Sequence, residues 1–376
     1  MVEIKEALTK KQQKEFIEFP LKLYKGCPNF VPPLYGDEKK MFRKDYCYYD
    51  MCEAVYFNAY EDGRMVGRIS GILQKASNEK HGEKRIRFTR FDAIDSQEVA
   101  TALFDAVEKW GLEKGMDTIC GPLGFSDLER EGLLVEGFDQ LSTFEEQYNY
   151  DYYGKLIEGC GYKKEVDWLE SKIYLPKEDD GKLDEITEFV FKRYHLRYGT
   201  ARNTREFIKR YGDQIFELVD KAYIGLYGTV PFTDAMKKML IDNFLLIIDM
   251  KYVSVVLDEN DKMVCFGVCF PSIAPALVGT SGRLTPLTLI RLFKAIKRPK
   301  VLDLGIVGVD PLYANRGVAT AVSSGLLGIL KRGDIEYAET NLNLEDNFNI
   351  QNQWKRFDAH QHKRRRSYVK TLSPKE

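Results

Sequence analysis

Two stretches of the chain alternate apolar and polar residues on either side of a short polar turn. The first is AVYFNAY and MVGRISGIL around Asp62-Gly63; the second is KYVSVVL and MVCFGVCFP around DENDK. Period-two alternation broken by Asp, Asn and Gly predicts a β-hairpin in each case. After the first hairpin, RIRFTRFDAI reads as a strand. QEVATALFDAVEKWGLEKG follows as a helix, because Val99, Leu103, Ala106, Val107 and Trp110 recur at helical spacing. Gly115 closes that helix, and DTICGPLGF reads as the next strand. After the second hairpin the same order returns: VLDLGIVGV as a strand, GVATAVSSGLLGILKRG as a helix, IEYAETNL as a strand. Ahead of the hairpins, residues 10–25 predict an amphipathic helix that Pro20 shortens or kinks, and TREFIKRYGDQIFELVDKAYIGL predicts a longer one. The recurrence predicts an internal duplication, with the polar stretch KEDDGK separating domains 1–178 and 179–376. A length of 376 residues suits two cores better than one.

Charge narrows the partners. With 56 basic against 57 acidic residues and a net charge of −1, nothing draws the whole chain to nucleic acid or to an anionic membrane, so DNA is not expected and RNA is disfavoured. The start of the chain is charged throughout and no apolar run reaches membrane-spanning length, which predicts a cytoplasmic protein with no transmembrane segment. Its seven cysteines form no C-x-x-C pair, and His360 and His362 stand beside a run of cations, so neither a disulfide framework nor a metal site is expected.

Two basic segments stay open. In PSIAPALVGTSGRLTPLTLIRLFKAIKRPK, Thr285 and Pro286 start an amphipathic helix with Arg291, Lys294, Lys297 and Arg298 on or near its polar side. Such a helix seals an interface between halves, covers an acyl chain, or lies on a membrane. HKRRRSYVK either neutralises phosphates of a coenzyme or of RNA, or protects a solvated strand edge.

GVDPLYANRGVATAV, residues 308–322, runs from a buried strand through a glycine turn into a helix. Backbone N–H groups at the positive end of a helix make an anion site; a tight strand-to-helix turn asks for the same residues. Taken with the element order, this loop resembles that of the GCN5-related N-acetyltransferase (GNAT) superfamily, whose members bind acyl-coenzyme A through Q/R-x-x-G-x-G/A. Residues 314–319, ANRGVA, fit that pattern except at Ala314. The resemblance covers most of residues 200–376 and, more faintly, the first half, whose matching turn FDAIDSQEVATAL has no glycine.

The resemblance implies an α/β (α+β) fold of two acyl-CoA N-acyltransferase-like domains, each a mixed, mostly antiparallel sheet flanked by helices, with a degenerate N-terminal copy. It implies acetyl-CoA or another acyl-CoA as substrate. The pyrophosphate would lie on backbone amides of Asn315, Arg316, Gly317, Val318, Ala319 and Thr320, and the pantetheine along Val307, Gly308 and Val309. By position on the fourth strand, Asp303 is the implied base; Glu339 and Glu336 on the next strand are alternatives, with Asn341 or Asn343 toward the acceptor. Asn347, Ile350 and Trp354 take the spacing of the family's N-x-x-A-x-x-x-Y helix. Asn347 and Trp354 are thereby expected at the coenzyme, but an indole cannot protonate a leaving thiolate as a tyrosine does. The implied activity is N-acyl transfer to a small-molecule or peptide amine. An inactive acyl-CoA-binding protein, and aminoacyl transfer from charged tRNA, stand as the other readings.

Overall fold

The computed structural model describes residues 1–373. They divide into two units: residues 1–169 with 273–292 and 362–373, and residues 170–272 with 293–361. This differs from contiguous halves 1–178 and 179–376, because two segments of the second half pack into the first unit.

The first unit opens with β1 (Glu3–Glu6), α1 (Lys10–Leu23) and α2 (Tyr35–Lys40). Thr9 and Gln12 form a capping box at the start of α1. Contrary to expectation, α1 runs unbroken through Pro20. Proline offers no N–H to the carbonyl four residues back; that carbonyl, on Phe16, accepts instead from the Arg68 guanidinium at 2.9 Å. The hairpin follows as β2 (Cys52–Glu61) and β3 (Arg64–Gln74). Its turn residues Asp62 and Gly63 both have positive φ, as a tight hairpin turn requires. Then come α3 (Lys75–His81), β4 (Arg85–Ala93), α4 (Gln97–Glu113), β5 (Thr118–Gly121), β6 (Leu133–Glu136), α5 (Tyr153–Gly159) and β7 (Lys163–Tyr174). Phe88, Phe91, Leu103, Phe104, Val107 and Tyr153 form the buried centre of this unit.

The second unit repeats the pattern. After α6 (Lys182–Tyr194), the short β8 (Arg197–Tyr198), α7 (Thr204–Ala222) and α8 (Asp234–Phe244), the hairpin is β9 (Val253–Leu257) and β10 (Met263–Pro271). Next along the chain, with 273–292 and 362–373 belonging to the first unit, are α9 (Ala274–Leu277), α10 (Pro286–Lys297), β11 (Val301–Val309), α11 (Thr320–Lys331), β12 (Tyr337–Thr340), β13 (Asn343–Leu344), α12 (Phe348–Trp354) and β14 (Asp358–Thr371). In both units the hairpin's second strand pairs antiparallel with the next strand, which pairs parallel with the strand beyond its crossover helix. The recurrence read in the sequence is thus a recurrence of topology.

Each unit completes its sheet with a strand from far along the chain. In the first, the order is β1-β2-β3-β4-β5-β14, with Tyr368 opposite Gly121 and Thr371 opposite Thr118. In the second it is β7-β12-β11-β10-β9-β8, with Ile173 opposite Ala338. Because β14 is paired by both β5 and β6, the basic run is not a solvated strand edge. Lys363 and Arg365 are fully buried. Arg366 and Arg364 reach Asp167 at 2.8 and 3.1 Å, and Lys370 reaches Glu108 at 2.7 Å. These cations are neutralised within the unit, which removes the phosphate-binding reading of Arg364, Arg366 and Lys370.

Candidate functional site

The second unit's sheet opens at its centre. β11 and β12 pair in parallel only over Val301–Leu304 against Tyr337–Thr340. Beyond Leu304, β11 continues to Val309 on β10 alone, with Val307, Gly308 and Val309 opposite Gly267, Phe266 and Cys265. Among the described residues β12 takes no further part there. The strand end expected to receive the pantetheine therefore has one side not engaged by β12. Gly308 is dictated by packing, since a Cβ there would come within 2.6 Å of the Phe266 ring. The Tyr223 hydroxyl donates to the Val307 carbonyl at 2.9 Å. Nothing in the local pattern near the end of α7 marks that tyrosine; only the tertiary fold places it.

Past Val309 the chain turns through Asp310, whose carboxylate accepts from the Leu312 N–H at 2.9 Å, and one 3₁₀ turn over Pro311–Tyr313. Asn315 and Gly317 then adopt left-handed conformations, φ 62° and 78°, before α11 begins. Gly317 is needed there, because an L-residue at positive φ is strained. The Arg316 N–H is spent on Tyr313 and the Thr320 N–H on Gly317. The Thr320 hydroxyl donates to the same Gly317 carbonyl at 2.6 Å. Among the described residues, the N–H groups of Asn315, Gly317, Val318 and Ala319 have no backbone acceptor. The cradle expected over Asn315 to Thr320 is thus narrower than the sequence suggests. Val318 anchors it by burying its side chain against Val190, Val256 and Val264. The exposed Arg316 guanidinium lies 5.4 and 5.6 Å from the Tyr194 and Tyr313 rings.

Just before the opening, Asp303 and Glu339 are register neighbours across β11 and β12. Leu302, Leu304 and Ala338 belong to the core with Leu326, Leu327 and Leu330 of α11, so alternation sets the two carboxylates on the other face of the sheet. That face is not solvated at this point, since Asp303 is 7% and Glu339 6% exposed. Lys172 is opposite Glu339 on β7, with its ammonium 5.3 Å from the Tyr337 ring. The Tyr337 ring is 5.2 Å from Tyr174, whose ring is 5.8 Å from His360. Burial, then the charge of Glu339, pushes the Tyr337 phenol up to about 12. Burial, with a smaller effect of Asp303, pushes the Cys269 thiol up to about 12. Sequence reasoning missed Lys172 and Tyr337. Tyr337 was findable, because it precedes Glu339 by two positions on the same strand.

The remaining candidates have local partners. Asn347 caps α12, accepting from the Ile350 N–H at 3.3 Å. The Trp354 indole donates to Asn343 at 2.9 Å and packs at the rim of the core. Asn341 accepts from the Leu342 N–H at 2.8 Å, and Glu336 is a surface residue 4.0 Å from Lys300. In the first unit the matching turn is closed by Ser96, which caps α4 by accepting from Val99. There the strand end at Ala93 is filled by α5 and its flank: Ala93 donates to the Tyr153 hydroxyl at 3.2 Å and accepts from the Tyr152 hydroxyl at 2.8 Å.

The chain is similar to Protein YghO of Escherichia coli (strain K12), 33% identical over 162 residues, which are 43% of this chain and 42% of that protein. It is also similar to the bacterial ceramide synthase of Caulobacter vibrioides, 32% identical over 187 residues, 49% of this chain and 48% of that protein. The chain matches less than half the length of either curated relative. No family profile matches it. Among solved structures it is similar to a tandem GNAT protein from the clavulanic acid biosynthesis pathway, TM-score 0.55, 11% identical, covering 100% of both chains. It is similar, too, to the GCN5-related glucosamine N-acetyltransferase region of a fungal multi-domain β-N-acetylglucosaminidase, TM-score 0.58, 11% identical, covering 98% of this chain and 38% of the other. At such identity the likeness concerns the fold: the chain has a tandem GNAT fold, with mixed, mostly antiparallel sheets flanked by helices.

Proposed function

We propose that this tandem GNAT fold transfers an acyl group from an acyl-coenzyme A to the primary amine of a long-chain amino alcohol, forming an amide. The observation that carries the proposal is the buried pair Asp303 and Glu339 immediately before the opening between β11 and β12. The acceptor class comes from the relative named a ceramide synthase, because a ceramide is an N-acylated long-chain amino alcohol.

The chain has residues that fit such a substrate. Backbone N–H groups at Gly317, Val318 and Ala319, with Arg316 beside them, suit a pyrophosphate, and Val307–Val309 suits an amide-bearing arm. When bound, the thioester supplies an activated acyl carbon. Asp303 or Glu339 takes a proton from the substrate ammonium, which frees the nitrogen lone pair to attack the thioester carbon. As the C–N bond forms and the C–S bond breaks, the departing sulfur needs a proton. We assign that proton to Tyr223, whose hydroxyl is already at the strand end, since the Trp354 indole cannot give one; the second proton, which the nitrogen sheds as the amide forms, returns to the Tyr223 oxygen. Acyl-CoA dependence suits the cytoplasm, which is where we place the reaction.

The test is thiol release and product mass for the purified chain with acyl-CoAs of increasing length and a long-chain amino alcohol in detergent, with glucosamine as a small-amine control. The expected result is an amide of the lipid amine, with Asp303→Asn or Glu339→Gln lowering kcat while the affinity for coenzyme A holds. Coenzyme binding without turnover across all amines would replace catalysis by acyl-CoA binding alone. Absence of binding would overturn the reading.

A further inference from the structure

α10 presents its apolar side to solvent. Thr285 caps it, accepting from the Thr288 N–H at 3.2 Å with the two hydroxyls 2.9 Å apart. The buried Thr288 and the half-buried Leu292, Ala295 and Ile296 follow helical spacing and mark the side turned to the protein. The other side carries Leu287 at 59%, Leu289 at 51%, Ile290 at 66% and Phe293 at 65% exposed, with Leu284 at 53% just ahead of the helix. Single apolar side chains on a surface are ordinary, but a contiguous set on one helix face calls for a cover.

The charge around this face says what kind of cover. Arg291, Lys294, Lys297 and Arg298 are exposed on the same helix and its end, and Lys300 follows. From Lys262 to Leu302 the chain has no Asp or Glu. Arg283 has a protein partner, Glu18, at 3.2 Å. We propose that α10 lies flat on an anionic phospholipid bilayer, with Leu287, Ile290 and Phe293 at the acyl boundary and the cations among the headgroup phosphates. Cations of one sign interleaved with exposed apolar side chains suit lipid better than protein, because long basic side chains bury their stems and keep their charge in the headgroup layer. Among the described residues no helix is long and apolar enough to cross a membrane, so the association is peripheral. This inference stands on α10 alone and does not depend on the acyl-transfer reading.

The experiment is co-sedimentation of the full chain with vesicles of phosphatidylcholine alone and of an equimolar mixture of phosphatidylcholine and phosphatidylglycerol. Binding is expected on the mixed vesicles only, and to weaken with salt. Ile290→Ser with Phe293→Ser is expected to abolish it, and these side chains are exposed enough for the fold to survive, as circular dichroism and coenzyme binding would verify. Lys294→Gln with Lys297→Gln is expected to weaken binding about 25-fold, near five-fold for each cation. Equal binding to both vesicle types, unchanged binding of the apolar variant, or no binding at all would overturn the proposal. So would a wild-type dimer that the apolar variant dissolves, which would make this face an interface between copies. Because coenzyme binding is measured separately, failure on vesicles and failure of acyl transfer are told apart.

Discussion

Replacing Gly317 separates a phosphate cradle from a plain turn. At φ 78° a Cβ is strained, and it would also come within 3.3 Å of Val190 Cγ2. Holding an L-residue in this conformation costs about 1–2 kcal/mol. If the loop keeps its shape in Gly317→Ala, the chain loses that much stability and its affinity for coenzyme A is untouched. If the loop relaxes instead, the N–H groups of Gly317 and Val318 swing away from the ligand. Hydrogen bonds to a charged group are worth about 1.5–3 kcal/mol each, so losing two weakens binding by about 10²–10⁴-fold.

Gly317→Val makes the relaxed outcome compulsory, because a β-branched residue tolerates positive φ least. Calorimetric titration with coenzyme A, alongside urea unfolding of the same proteins, reads both quantities. The expected result is an affinity loss in Gly317→Val much larger than its loss of stability. A destabilised Gly317→Val that binds coenzyme A like the wild type would refute the cradle and leave the loop as a connection.

Asp303→Asn and Glu339→Gln are each expected to lower kcat by about 10²–10⁴-fold, as removal of a proton acceptor does, with the coenzyme Kd within about two-fold of wild type by the same titration. Arg68→Met strands a buried Asp92 carboxylate, 2.8 Å from the lost guanidinium, and the Phe16 carbonyl beside Pro20. Urea unfolding should show a loss of about 3–5 kcal/mol. Asp167 tests pH dependence: burial pushes its carboxyl up, but Arg366, Lys164 and Arg364 together hold it below 3.8. Its contribution is therefore complete above that value and is lost as pH falls through the lower folded value. Asp167→Asn should cost about 2–3 kcal/mol at neutral pH, and the difference should shrink in unfolding experiments as the pH is taken progressively below 3.8.

What could be read from the sequence was what is written locally. The hairpin turns, the spacing of Val99, Leu103 and Val107, and the glycine after β11 each occupy a few neighbouring residues. Partner choice between distant strands is not written that way. Nothing in SKIY or SYVK says that Lys172 and Ile173 pair with β12 while Tyr368–Thr371 pair with β5. The run Lys363–Arg366 looks like an exposed charge patch only because its partners, Glu146 and Asp167 among them, are far away in the sequence. Tyr223 is hidden for the same reason. Asp303 was ambiguous because alternation assigns a face and not its burial; the burial comes from packing on both sides of the sheet.

The two copies of the repeat differ in how one topology treats the backbone groups at its strand end. Both units build a parallel strand pair with a crossover helix, so both have a strand end where the pair parts. In the first, a serine cap accepts from one of the helix's leading N–H groups, that of Val99, and the hydroxyls of Tyr152 and Tyr153 take the carbonyl and N–H of Ala93. In the second, no side-chain cap is formed at Ala319, and Gly317 turns the chain so that amides precede the helix. The first arrangement engages the strand end and one helix N–H with its own side chains; the second leaves its strand end and turn amides without such side-chain partners among the described residues. Tyr152→Phe with Tyr153→Phe should therefore destabilise the first unit without creating a coenzyme site, because Ser96 still holds the Val99 N–H and no glycine turns the chain ahead of that helix. A second equivalent of coenzyme A bound by that double variant, counted calorimetrically, would show that the tyrosines and not the missing glycine had closed the first copy.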